Sequence, residues 1–298
     1  MRPSTFILLL AAALSSVAAG AEPPHPGARQ VVIHSQGNDG PVSLASWWIG
    51  AGKNGRLPVI IALHGCGGLY GTAGNKQKVF SGRHAAMADL LQDAGYHVLW
   101  LDSFSSRGKQ SICTEKFSRR DISVADRRAD VHAALRWVAA RPEVDAARIA
   151  LLGWSNGGST VLSSIDAGHT DVSSNTVRPA AAVAFYPGCT AFARDAGYRN
   201  ATPLLILMGE KDDWTPPDAC VALERKLDAA SAGAPVALRL YPDSFHNFDA
   251  PGLPVRRRLD VPNGVRPGEG VTSGGNPAAR EDAYRELFAF LKKHLEQP

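Results

Sequence analysis

The segment Gly153-Trp154-Ser155-Asn156-Gly157 frames a serine in the way nucleophilic chemistry needs. It follows the apolar run Ile149–Leu152 and precedes a Ser/Val/Leu-rich stretch, so it reads as a tight strand-to-helix turn. The two glycines admit a strained backbone and close neighbours. The helix start behind Ser155 favours a developing anion. A serine hydroxyl is a poor nucleophile without a base to take its proton. Of the nine histidines, His246 is placed for that work. It stands in Tyr241-Pro242-Asp243-Ser244-Phe245-His246-Asn247-Phe248, just past the last expected strand, on the edge of the sheet to which Ser155 points. His132 falls inside a helix and His97 inside a strand. An acid to orient the imidazole is expected between serine and histidine, and Gly209-Glu210-Lys211-Asp212-Asp213-Trp214-Thr215-Pro216 supplies two. Asp212, three residues past Gly209, is preferred; Asp213 is the alternative.

Ester hydrolysis puts negative charge on an oxygen, and that charge needs preorganised N–H donors. The amide of Asn156, after the nucleophile, is one. The other is expected from His64-Gly65-Cys66-Gly67-Gly68, whose glycines let the backbone turn its amides inward; Cys66 is chosen, through its N–H. Trp154, Trp214, Tyr70, Tyr186 and Phe245 flank these motifs. Trp154, Trp214 and Tyr70 are expected to line a substrate pocket, against a plain core role. Arg107 and Lys109 are expected on a solvated loop. Each motif also has a bland counterpart: Ser155 as a helix cap, the glycine segment as a simple turn, His246 as a structural loop histidine.

The elements that must position these groups alternate. Val31–Ser35 and Val42–Ile49 read as strands around the turn Gly37-Asn38-Asp39-Gly40. Pro58–Leu63, Tyr96–Leu101, Arg148–Leu152, Ala180–Phe185, Pro203–Met208 and Val236–Tyr241 read as further strands, several of them continuous apolar runs of the buried kind. Arg83–Ala94, Ile122–Ala140, Gly158–Ile165, Pro217–Ala230 and Glu281–Leu295 read as helices. Pro251–Asn276, dense in Pro, Gly and Arg, reads as an irregular loop. This alternation argues for a mostly parallel sheet covered by helices on both faces, with the leading hairpin as an antiparallel edge.

A chain of 298 residues, 45% hydrophobic and 20% charged, can bury one large α/β core. The formal net charge is only +4. The basic clusters Arg119-Arg120, Arg127-Arg128 and Arg256-Arg257-Arg258 read as solvated faces, so no nucleic-acid partner is expected. Residues 1–21 read as a signal peptide: Arg2, the apolar run Phe6–Leu14, then the small-x-small end Ala19-Gly20-Ala21. The apolar run is short of the ~20 residues of a spanning helix, so no membrane anchor is expected once it is cleaved. Residues 22–298 are then expected as one domain in the periplasm or outside the cell. Cys66, Cys113, Cys189 and Cys220 in an exported chain favour disulfides, in any of three connectivities. None has zinc-ligand spacing, and no metal is expected.

Taken together and in this order, His64-Gly65-Cys66-Gly67-Gly68, Gly153-x-Ser155-x-Gly157, Gly209-Glu210-x-Asp212-Asp213-x-Thr215-Pro216 and His246-Asn247-Phe248 resemble the dienelactone hydrolase family of α/β-hydrolases, over roughly residues 40–295. The resemblance implies the α/β-hydrolase fold with an eight-stranded sheet, no large lid, no cofactor, and hydrolysis of small-molecule esters or lactones. The namesake enzymes carry cysteine where this chain has Ser155, which points to a broader carboxylesterase. In the implied sheet order, the loops after the strands ending near Leu63 and Leu101 are neighbours. So are those after Phe185 and Met208. The implied bridges are Cys66–Cys113 and Cys189–Cys220. Two other functions use the same features: a serine peptidase for short peptides, and a non-catalytic binding protein on a hydrolase scaffold.

Overall fold

In the computed structural model, which describes residues 22–37, 40–71, 78–230 and 233–296, the apolar runs become strands of one sheet. The expected signal peptide lies outside the described residues, as does the tip of the first turn, 38–39. The strands are β1 (Ala28–Gly37), β2 (Gly40–Ile49), β3 (Leu57–Leu63), β4 (His97–Leu101), β5 (Val144–Trp154), β6 (Ala181–Phe185), β7 (Leu204–Gly209) and β8 (Val236–Tyr241). Their order is β1-β2-β4-β3-β5-β6-β7-β8. β1 and β2 form an antiparallel hairpin, β2 pairs antiparallel with β4, and every other pairing is parallel.

Burial explains the two strand patterns. β4, β6 and the end of β5 are buried residue after residue, because helices cover both faces of the sheet there. β1 lies at the edge and alternates: Val31 and Ile33 are buried while Val32 between them is exposed. The covering helices are α1 (Gly82–Asp93), α2 (Val124–Ala139), α3 (Asn156–Ser164), α4 (Thr170–Ser173), α5 (Thr190–Arg194), α6 (Pro217–Ala230) and α7 (Pro277–Leu295). Local chemistry starts the long ones. Ser123 and Asp126 form a reciprocal capping box at α2. Asn276 caps α7, with proline at its first position.

The segment expected to be an irregular loop carries regular structure. β9 (Arg256–Arg258) and β10 (Val271–Ser273) pair antiparallel as a separate two-stranded sheet. Three-residue strands, Arg-Arg-Arg and Val-Thr-Ser, are too short for an apolar alternation to announce them. Their packing is tertiary: Val261 and Val271 join Trp214, Phe104, Ile112, Ile122 and the Cys66 and Cys113 side chains in a second small core. The short helices α4 and α5 also lie in stretches without a readable period.

Both implied disulfides form, Cys66–Cys113 and Cys189–Cys220. The first ties the loop after β3 to the loop after β4; the second ties the loop after β6 to α6. Replacing Cys189 and Cys220 together by serine is expected to lower stability by about 2–4 kcal/mol. Urea unfolding of oxidised wild type and double variant measures this, and equal midpoints would contradict it.

Candidate active site

β5 delivers Ser155 into a backbone that serine rarely adopts, φ 53° and ψ −116°. The turn is made possible by absent side chains. A methyl group at Gly157 would run into the Leu63 and His64 carbonyls, and one at Gly153 into the Gly157 carbonyl. Ser155 N–H donates to the Phe185 carbonyl at 2.8 Å, which anchors the turn to β6. α3 begins directly at Asn156, two residues earlier than the glycine pair suggested in the sequence. Ser155 therefore sits at the helix N-terminus, and the first amides of α3 have no acceptor within the helix.

His246 Nε2 lies 2.9 Å from Ser155 Oγ, and its Nδ1 lies 2.7 Å from Asp212 Oδ2. A carboxylate only accepts, so the ring proton resides on Nδ1 and the Nε2 lone pair faces the serine hydroxyl. Asp212 is almost completely buried yet well satisfied. Its Oδ1 accepts from the amides of Trp214 and Thr215, both at 2.9 Å, and the Thr215 hydroxyl lies 3.0 Å from Oδ2. The imidazole is held between the rings of Tyr186 and Trp214, each with its centroid 4.6 Å away. Of the two aspartates, Asp212 is the one that meets His246. Asp213 turns the other way and accepts from the Thr272 amide and hydroxyl at 2.6 and 2.9 Å, fastening the β9–β10 hairpin.

The glycine-rich loop lies against this turn: a methyl group on Gly65 would come within 3.2 Å of the Trp154 carbonyl and 3.4 Å of Ser155 Cβ. Cys66 follows it, buried, with its carbonyl accepting from Ile112 N–H at 2.8 Å. The two segments expected to carry oxyanion donors are joined by Arg127. One guanidinium nitrogen donates to the Asn156 side-chain oxygen at 2.5 Å and another to the His64 carbonyl at 2.8 Å. The solvated role expected of the Arg127-Arg128 cluster is wrong for Arg127, which is only 1% exposed. On a helix, adjacent residues point about 100° apart, so one arginine of such a pair can face the core while its neighbour faces out. Burial pulls the Arg127 guanidinium down to about 10, with Asp130 and Asp102 opposing the shift.

Among the expected pocket residues, Trp154 and Tyr70 pack with the main core. Trp154 is fully buried in an aromatic stack between Trp100 and Phe185, and its indole N–H donates to Asp249 at 2.8 Å. The Tyr70 hydroxyl accepts from Trp47 Nε1 at 2.8 Å, and the ring packs on the main core beside β2. Trp214 does reach a cavity, of about 720 Å³, whose apolar wall includes Phe117, Ile122, Phe192 and Val265 and which meets the site at Asn156 and Thr215. Arg107 and Lys109, expected to be solvated, are engaged in ion pairs, Arg107 bidentately with Asp130 and Lys109 with Glu115 and Asp121.

This sheet order, with a strained serine after β5, an acid after β7 and a histidine after β8, defines an α/β-hydrolase. The chain belongs to the dienelactone hydrolase family: a model of that family matches residues 48–295. Membership makes it an ester hydrolase. Solved structures with this fold include a dienelactone hydrolase-like promiscuous phosphotriesterase from metagenomic libraries, at 18% identity and TM-score 0.64, covering 90% of this chain and 99% of the other. Another is esterase 2 of Thermogutta terrifontis phosphorylated by paraoxon, at 18% identity and TM-score 0.62, covering 90% and 94%. Dipeptidyl peptidase 4 of Porphyromonas gingivalis matches at 20% identity and TM-score 0.58, covering 89% of this chain and 35% of that one. None of the curated proteins matches.

The loop beneath Cys66 carries a pH dependence. Burial, with Arg127 nearby, depresses His64 to about 3, and burial also lowers His84 well below the ordinary imidazole value. The unfolded imidazoles titrate near 6.5. Between those values the unfolded chain binds more protons than the folded one, so stability rises with pH. The urea midpoint is therefore expected to fall as pH is lowered from 7.5 to 4.5. A midpoint that holds or rises over that interval would contradict the burial of these rings.

Proposed function

We propose that this chain hydrolyses carboxylic esters or lactones through an acyl-enzyme, with Ser155 as nucleophile, His246 as general base and Asp212 as the orienting acid. The observation that carries this reading is the unbroken relay from Ser155 Oγ through both imidazole nitrogens to Asp212. His246 Nε2 takes the hydroxyl proton as Oγ attacks the carbonyl carbon. The amides of Asn156 and Cys66 hold the resulting oxyanion. As the tetrahedral intermediate collapses, the alkoxide leaves with the proton from His246. Water then repeats the sequence on the acyl-enzyme, with His246 again as base, and the free acid is released.

The cavity beside Asn156 and Trp214 has room for a bulky apolar or aromatic group next to the scissile carbonyl. That favours a broad carboxylesterase over an enzyme tailored to one lactone. Residues 22–298 act as one hydrolase domain after removal of residues 1–21. Two disulfides support an oxidising compartment, periplasmic or outside the cell. Among the described residues, no helix is long and apolar enough to cross a membrane.

Paraoxon is expected to phosphorylate Ser155 of the folded protein, read as a mass increase on the peptide containing it. Ser155→Ala should remove both the adduct and aryl-ester turnover, lowering kcat by several orders of magnitude with the melting curve unchanged. Asp212→Asn should lower kcat about 10⁴-fold through loss of the correct tautomer, while Asp213→Asn changes it less than about 10-fold. Full turnover by Ser155→Ala would reject the assignment.

A further inference from the structure

Asp249 takes no part in the relay, yet it is a fully buried carboxylate three residues beyond His246. Its donors come from all around the site. Trp154 Nε1 donates to Oδ2 at 2.8 Å, from the residue directly before the nucleophile. The Tyr186 hydroxyl donates to Oδ1 at 2.5 Å, from the residue directly after β6, whose ring packs on His246. Arg83, on α1, donates to Oδ1 at 3.3 Å and to the Tyr186 oxygen at 2.5 Å. The same guanidinium nitrogen donates to Asn247 Oδ1 at 2.8 Å, on the residue directly after His246. The third loop joins through backbone: the Thr215 hydroxyl lies 3.1 Å from the Tyr186 carbonyl and 3.0 Å from Asp212 Oδ2.

The backbone at these points is strained. Among the described residues, four other than glycine have positive φ: Ser155, Tyr186, Asp243 and Asn247. Three of the four belong to or adjoin this network. Such positions are costly and persist only where their surroundings over-determine them. A buried carboxylate with donors from the end of β5, the loop after β6 and the start of α1 is such a surrounding, since a shift of any one of them leaves a buried charge short of a partner.

We infer that the Arg83–Asp249 pair is the positioning centre of the site: it holds the loops of Ser155, His246 and, through Tyr186, Asp212 in mutual register without touching substrate. This rests on the triad reading above. A positioning role differs from simple stability in what it changes. A misplacement of about 1 Å can cost about 100-fold in rate, whereas lost stability alone reduces the number of active sites and leaves the turnover of each unchanged.

The test measures aryl-ester kinetics for wild type, Asp249→Asn, Arg83→Met and Arg83→Lys, with active sites counted by a fluorophosphonate probe. Per labelled site, Asp249→Asn and Arg83→Met are expected to lower kcat about 100-fold, with KM changed less than about threefold. Arg83→Lys should recover a large part of the loss, because it restores the charge opposite Asp249. If Asp249→Asn does not fold, Trp154→Phe and Asn247→Ala each remove one link while leaving the ion pair. Each should lower kcat per site about 3–10-fold. Folded Asp249→Asn with wild-type kcat per site would overturn the inference, as would wild-type kcat in both single-link variants. A wild-type protein that neither turns over esters nor takes the probe would overturn the triad reading itself, and this inference with it.

Discussion

The backbone at Ser155 is bent into a conformation that serine does not choose, and the arrangement of the site follows from the forces that keep it there. The strand behind it ends in a hydrogen bond to β6, and the glycines on either side let the Leu63 and Gly157 carbonyls press in. The Trp154 side chain is locked in the core by stacking and by Asp249. Were the turn to relax, the hydroxyl would leave the 2.9 Å contact with His246 and the start of α3 would shift with it. The strain is thus balanced by contacts spread across several elements, as expected where a site is preorganised.

Buried charge does most of the joining. Asp212 is nearly without exposure, but two amides, a hydroxyl and the His246 ring surround it, so its carboxyl oxygens are fully partnered where they stand. Arg127 lies deep between the glycine loop and α3 and spans two chain segments that share no other side-chain bridge of that kind among the described residues. Buried charged groups of this sort contribute little net stability once desolvation is counted, but removing one of their partners is costly. Their value here is geometric: they leave few alternative positions for the loops they join. The exposed pairs, such as Arg266 with Glu269, carry no such constraint.

The rim of the site is built from parts that are weak separately. The β9–β10 hairpin has three residues per strand and would not persist alone. It is fastened by Asp213, by the Val261 and Val271 side chains against Trp214, and by the Gly274 amide on the His246 carbonyl. Across the cavity, Phe117 N–H donates to Asn263 Oδ1, which links this rim to the loop after β4. That loop is in turn bridged to the glycine loop by Cys66–Cys113. Cavity wall and glycine loop therefore belong to one connected structure.

Much of this was legible in the residues alone. The continuous apolar runs of β3, β4, β6 and β7 announce buried parallel strands, because a strand covered on both faces needs no polar alternation. Gly153-x-Ser155-x-Gly157 announces the turn, because only glycine survives such close backbone contacts. The order of serine, acid and histidine follows from the order of strand ends. What sequence could not supply was direction. Whether Asp212 or its neighbour meets His246, whether Trp154 faces a pocket or the core, and which arginine of Arg127-Arg128 is buried all depend on which way a side chain points once distant segments have packed. Arg83 and Asp249 are 166 residues apart and meet only because α1 and the loop after β8 are laid against the same edge of the sheet. Local pattern records the period of an element, while the partner of a buried charge is chosen by the tertiary contacts that exclude water from it.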